Sequence, residues 1–345
     1  MNANRTGIAA ALGAAALFGA STPIAKILLT DVSPWLLAGL LYLGSGIGLS
    51  AVRFVRGSKG NELARHDWPW MLGAVGTGGI AGPVLLMWGL AGVSASTTSL
   101  LLNAEGVFTA LLAWYVFREN FDRRIALGMA AIVFGAVVLS WSGTIQVQSP
   151  WPALAILGAC LCWGIDNNLT RKVSLSDPFQ VAAIKGLVAG VTNVSLALIV
   201  GMAIPPSDTI LMSLIVGFLG YGVSLALFVI ALRELGTARA AAYFSTAPFV
   251  GAIIAVPLLG DSVTIVLVLA GGLMAVGVWL HITERHAHEH EHKRVEHSHV
   301  HAHDDGHHGH DHDIFPDKPH AHKHQHEPTR HLHPHYPDEH HRHDH

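Results

Sequence analysis

The chain has 345 residues, 51% of them hydrophobic and only 13% charged, with a net charge of −3; a soluble chain of this length carries about 25% charged residues. The charge is unevenly placed: residues 284–345 hold 7 Lys and Arg against 13 Asp and Glu, and 24 of the 25 His lie from His281 onwards. A single soluble globular domain is excluded, and so is a disulfide scaffold, since Cys160 and Cys162 are the only cysteines.

A helix that crosses a bilayer needs about 20 mostly apolar residues. Ten such stretches follow one another at 6–29, 34–55, 68–92, 95–117, 124–141, 151–170, 179–201, 209–232, 238–259 and 262–282. The runs are continuous rather than alternating, which predicts helices and not barrel strands. The first stretch opens like a signal peptide, with Arg5 and an Ala-rich core. Its apolar run continues through Ile24, Ile27, Leu28 and Leu29, so a retained span is predicted. Pro23, Pro83, Pro248 and Pro257 are expected to interrupt helices and free carbonyls.

Orientation follows from charge. With the N-terminus inside, Arg5, the connections at Arg53–Arg65, Arg118–Arg124, Arg171–Lys172 and Arg233–Arg239, and Arg285 place 13 Lys and Arg on the cytoplasmic side. The opposite connections carry none, and positive residues collect inside. Both termini are therefore expected in the cytoplasm.

The body repeats itself after five spans. Lys26 matches Arg171 at an offset of 145, Ser33-Pro34-Trp35 matches Asp177-Pro178-Phe179 at 144, and Asn103–Phe108 matches Ser245–Val250 at 142. Glu119 meets Asp261, and Gly135 meets Gly277, at that last offset. Five is odd, so the second copy enters the membrane from the other side, the inverted repeat of secondary transporters. The expected organisation is a first five-helix repeat over 1–148, a second over 149–283 and a tail over 284–345.

Ten spans in two five-helix halves, with Leu17-Phe18-Gly19, Cys162-Trp163-Gly164 and Ala104–Phe117 followed by Arg118-Glu119, resemble the EamA-type permeases of the drug/metabolite transporter superfamily. Asn103–Trp141 is similar to a bacterial subgroup, some of which also end in a His-rich tail. The resemblance covers residues 1–283. It implies alternating-access movement of small metabolites across a bacterial inner membrane, with no family-wide catalytic signature.

An ionisable group in hydrocarbon is costly and marks a functional site. Glu105 lies near the middle of the fourth span, Asp166 toward the inner end of the sixth, and Lys185 a little way up the seventh. Their repeat counterparts are Ala247, Ser21 and Leu41, so the scaffold itself does not require these charges. Lys26 has Arg171 as counterpart, and its stem can snorkel to the headgroups.

Asp166 and Lys185 predict a buried ion pair, and two roles stay open: fixing two helices, or serving substrate. Glu105 is the sharper case. A carboxylic acid in a chamber facing each side in turn can take up and release a proton or hold a cation, with Asn103 supplying an amide. A protonated Glu bonded to a neighbouring helix is the alternative. Asn167, Asn193 and Tyr243 complete the candidate substrate or coupling set, and Trp88, Trp114 and Trp163 are candidates to stack on an organic substrate.

From Glu284 the chain alternates His with polar residues: His286, His288, His290, His292, then His297, His299, His301, His303, then His307, His308, His310, His312, with further clusters to His345. Almost no hydrophobes remain, so disorder is expected. Imidazole suits zinc, copper and nickel, and the neutral ring is the ligand, so binding should fail as pH drops through about 6.5. Zinc or another divalent transition metal is expected on this tail, and no cofactor is required by the body.

The expected partners are membrane lipid, a small-molecule substrate and divalent metal ions, with a homodimer open to the chain and no nucleic acid. Cargo is either a small metabolite or a divalent metal; the spans hold no His before His281 and offer one central carboxylate, a poor cage for a bare transition metal. An enzyme is not expected, since no His lies inside a span before His281 and no His-Glu-x-x-His or Gly-x-Ser-x-Gly occurs within the spans. A metal-sensing membrane receptor is the third reading.

Overall fold

In the computed structural model the described residues are 2–57, 63–117, 123–141, 150–173, 176–235 and 237–283, with the backbone of 287–291, 295–301, 320–326 and 330–334. The ten apolar stretches are helical. In chain order they are α1 (Asn2–Leu28), α2 (Pro34–Arg56), α3 (Trp68–Ala74) with α4 (Gly82–Gly92), α5 (Ala95–Leu101) with α6 (Ala104–Phe117), and α7 (Arg123–Trp141). The second half has α8 (Trp151–Lys172), α9 (Pro178–Ile199), α10 (Ser207–Val216) with α11 (Ser224–Leu235), α12 (Thr237–Phe244) with α13 (Ala247–Leu259), and α14 (Ile265–Ile282). Eight described helical runs are long and apolar enough to cross a membrane, and Ala126–Val138 and Ile265–Leu280 are shorter apolar helices.

The ends of these helices follow local chemistry. Proline sits in the first turn of α2, α8 and α9, where its missing N–H has no partner to lose. The Asp177 carboxylate caps α9 by accepting from the Phe179 N–H at 3.0 Å, and Gly260 ends α13 at φ 68°.

Four spans depart from regular helix, in two matched pairs. Val75–Ala81 joins α3 to α4 as a π-helical turn, and Gly217–Val223 joins α10 to α11 the same way; the two segments lie 142 residues apart from end to end. Spans four and nine break at Leu102–Asn103 and Ser245–Thr246. Two of the four prolines break their helices as expected and two do not. Pro23 and Pro257 lie inside continuous helices, while Pro83 follows the first π turn and Pro248 opens α13, each withholding an N–H from a carbonyl one turn back.

Close glycine contacts reveal an internal two-fold relation. A Cβ on Gly46 would overlap the backbone of Gly186 and Leu187, and one on Gly190 would overlap that of Leu43; 46 and 190, like 43 and 187, differ by 144. A Cβ on Gly135 would press on Ala270 and Met274, and one on Gly277 on Gly128 and Ile132, with every equivalent pair 142 apart. When i touches j and the counterpart of i touches the counterpart of j, the contact is self-complementary. Equivalent helices of the two halves thus cross each other, α2 on α9 and α7 on α14.

Small residues at these crossings let backbones meet. Gly46→Leu is therefore expected to push α2 off α9 and cost about 1–3 kcal/mol or more. Gly272→Leu, where nothing lies within 4 Å of the added Cβ, should be tolerated. Thermal unfolding followed by size exclusion in detergent checks both, and equal stability of the two variants would disprove the expectation.

The helices form one unit within Met1–Glu284, and the strands belong to a second. In that second unit β1 (Ala287–Glu291) pairs antiparallel with β4 (Arg330–Pro334), and β2 (Val295–His301) with β3 (His320–His326). Disorder expected for the rest of the tail lies outside the described residues.

Candidate functional site

The two broken spans meet at a cleft. At the first break the Asn103, Glu105 and Gly106 N–H groups bond three residues back, to Leu100, Leu102 and Asn103 carbonyls at 3.0–3.2 Å. The Asn103 side chain favours this interruption, because its Nδ2 donates to the Leu100 carbonyl at 3.0 Å in competition with the backbone. At the second break Thr246 Oγ1 donates to the Tyr243 carbonyl at 2.8 Å, and Pro248 follows.

The cleft encloses about 410 Å³, open solvent at its mouth included, and is lined by Phe18, Leu102, Asn103, Glu105, Gly106, Thr109, Asn167, Phe228, Phe244, Ser245, Ala247 and Pro248. Both breaks contribute, so equivalent segments of the two halves face one chamber.

Glu105 stands half-buried on its wall. Its Oε1 accepts from Asn167 Nδ2 at 2.8 Å, and the same nitrogen reaches Thr109 Oγ1 at 3.3 Å. Asn168 fastens the wall from behind, donating to the Thr109 and Gly164 carbonyls at 3.2 and 2.8 Å. Asn103 is only 3% exposed, and its Oδ1 has no hydrogen-bond partner.

Asp166, Lys185 and Asn193 belong to a second polar layer, outside the cleft lining. Lys185 Nζ donates to both Asp166 oxygens at 2.5 Å, and Thr170 Oγ1 donates to Oδ1 at 2.9 Å. This group sits against Gly78 of the first π turn, where a Cβ would overlap the Asp166 carboxylate. Pro83 leaves the carbonyls of this turn short of donors. Tyr42 Oη and Trp163 Nε1 donate to the Gly78 carbonyl at 2.7 and 3.0 Å, and Asn193 Nδ2 donates to that of Gly79 at 3.2 Å.

The other half repeats the arrangement without charge. Gly220 of the second π turn lies against Ser21, and Gly217 against the Leu41 carbonyl. Ser21 and Leu41 are the counterparts of Asp166 and Lys185, so an ion pair packs against one turn, while beside its twin stands an uncharged Ser21 whose hydroxyl donates to the Phe18 carbonyl at 2.6 Å.

Of the predicted substrate or coupling residues, Glu105, Asn103 and Asn167 come together in the cleft. Tyr243 does not line it; the ring is half-buried against the cluster that includes Ala10, Ala14 and Phe228. Trp88 and Trp114 are 51% and 46% exposed and are not among the lining residues. Trp163 is buried, edge-on to Phe18 at 5.7 Å.

Lys26 Nζ donates to the carbonyls of Leu90, Ala91 and Val93 at 2.5–3.2 Å, closing the end of α4. Nearby, Asp261 accepts from the Ser96 N–H at 2.8 Å and ties the loop after α13 to the start of α5. Among the described residues no three His, Cys, Asp or Glu gather to hold a metal; the side chains of the predicted tail ligands, His286 to His312, lie outside the described residues.

Sequence reasoning misses the aromatic wall of Phe18, Phe228 and Phe244, although Phe244 is the repeat counterpart of Leu102 and so lies within its reach.

Comparison with known proteins finds a match to the EamA-like transporter family over residues 5–141 and again over 150–283. The chain is 27% identical over 281 residues to an uncharacterized transporter of Methanothermobacter thermautotrophicus, covering 76% of this chain and 82% of that one. It is 25% identical over 277 residues to the uncharacterized inner membrane transporter YedA of Escherichia coli K12, covering 76% and 86%. It is 26% identical over 247 residues to a probable terminal-alkyne amino-acid exporter of Streptantibioticus cattleyicolor, covering 70% and 83%.

Proposed function

The chain belongs to the EamA-like transporter family, and we propose that it carries a small organic metabolite across the inner membrane by alternating access, coupled to protons at Glu105. Membership makes it a membrane transporter of small molecules rather than an enzyme. The finer reading is supported above all by one observation: the two matched helix breaks face a single cleft whose one acid, Glu105, has no counterpart in the other half.

Broken helices at repeat interfaces are where secondary transporters bind their cargo. Two-fold related halves can exchange conformations, so the cleft opens to either side in turn while Glu105 and Asn167 travel with it. The inner-membrane location of the relative YedA and the count of Lys and Arg on one side support an inner-membrane site with cytoplasmic termini.

The tail adds a metal-binding element on that face. A bare divalent ion is disfavoured as cargo, because among the described residues the cleft offers one carboxylate and no imidazole. We therefore assign the tail a chelating or regulatory role.

The test is flux into proteoliposomes that enclose a pH-sensitive dye, for full-length protein and for a chain lacking residues 286–345. At least one metabolite in a panel should cross with protein-dependent proton movement in both. Zinc should alter the rate only in the full-length chain, and only above about pH 6.5, where imidazole is neutral. Flux without proton movement would remove the coupling. A zinc effect that persists in the truncated chain would remove the tail's role, and no flux for any compound would remove transport.

A further inference from the structure

The cleft is rich in acceptors and poor in donors. Glu105 presents a carboxylate, and the buried Oδ1 of Asn103 has no partner. Half-helix starts ordinarily offer free N–H groups to anions, yet those of Glu105 and Gly106 are already bonded to Leu102 and Asn103 carbonyls, that of Phe249 to Thr246, and Pro248 has none. The amide of Asn167 is held by Glu105 and Thr109, and that of Asn103 by Leu100. The hydroxyls of Thr109 and Ser245 can turn either way. Among the described lining residues there is no Lys, Arg or His.

A carboxylate brought into this space would lose its water and meet no cation, which is costly. An ammonium group would find two side chains with oxygen acceptors to share. The lining also includes an aromatic cluster: Phe244 lies 5.5 Å from Phe18 and 4.8 Å from Phe228 between ring centroids. Such a cluster packs an apolar body and attracts a nearby cation to its ring faces.

We infer that the cleft selects an organic ammonium ion with an apolar body and no free carboxylate, its N–H groups shared between Glu105 and Asn103 Oδ1 and its body laid against Phe18, Phe228 and Phe244. This selectivity deepens the transport reading and rests on it only for the steps after binding.

Binding of tritiated phenethylamine to purified full-length protein in detergent, measured by scintillation proximity, tests it. Self-displacement should be saturable, and phenylalanine and 3-phenylpropionate, which carry a carboxylate on the same frame, should compete at least thirtyfold more weakly. Glu105→Gln should weaken binding at least tenfold and Asn103→Leu severalfold. The amine-to-acid comparison uses the unaltered chain, so it stands even where a variant fails to fold. Equal or better competition by either carboxylate, or no saturable amine binding, would overturn the inference. Amine binding without protein-dependent flux in proteoliposomes would instead overturn transport and leave this inference standing. Flux of a carboxylate-bearing metabolite without amine binding would do the reverse.

Discussion

Glu105→Gln is expected to abolish proton-driven accumulation in proteoliposomes while the protein stays folded. The substituted amide keeps the length of the side chain and an oxygen for Asn167 Nδ2, which donates to Oε1 at 2.8 Å in the native protein. What it removes is the exchangeable proton. One coupled proton supplies about 1.4 kcal/mol for each unit of pH difference, enough for roughly tenfold accumulation. Across two units the native protein should concentrate its cargo about a hundredfold, and the variant should reach only equality. Glu105→Asp, shorter but still acidic, should retain a measurable fraction. Labelled cargo counted inside the vesicles decides the matter, and undiminished accumulation by the Gln variant would dismiss the role given to this acid.

The second large effect falls on the ion pair behind the cleft. Lys185→Met leaves the Asp166 carboxylate buried with Thr170 as its remaining side-chain partner, and stranding one partner of such a pair costs about 3–5 kcal/mol. Thermal unfolding in detergent should show a large drop for this variant. Asp166→Ser combined with Lys185→Leu should recover most of it, because it removes both buried charges and places at these positions the residue types, Ser21 and Leu41, that stand at the equivalent ones beside the twin π turn. A small loss in the single variant, or no recovery in the double, would contradict the structural reading. Flux through a stable double variant then separates the two roles left open by sequence: retained transport assigns the pair to the scaffold, and lost transport assigns it to coupling.

The spans are legible in the sequence because an apolar run of bilayer length has few other solutions, and observed ends fall within a few residues of those expected. Glu105 is legible for a related reason, as an acid in hydrocarbon with Ala247 as its counterpart. The π turns are not. They add one residue to a turn without changing composition, and the segment from Val75 to Ala81 reads simply as glycine-rich. The break at Leu102–Asn103 carries no proline, so only the competition of the Asn103 side chain with the backbone marks it. Phe18, Phe228 and Phe244 look like any other apolar residues until the chain brings them to one wall. Asn193 and Lys185 stand out by polarity alone, which does not distinguish a residue that meets cargo from one that props a neighbouring carbonyl or its ion-pair partner.

The propped carbonyls of Gly78 and Gly79 also bear on how the chain is made. Two of their three donors, Trp163 and Asn193, belong to the second half. While the ribosome is still building the first half, the third span sits in lipid with Tyr42 as the one donor of the three already present, in a medium that offers no water to substitute. Full pairing of the third span's π turn therefore waits for Trp163 of the sixth span and Asn193 of the seventh.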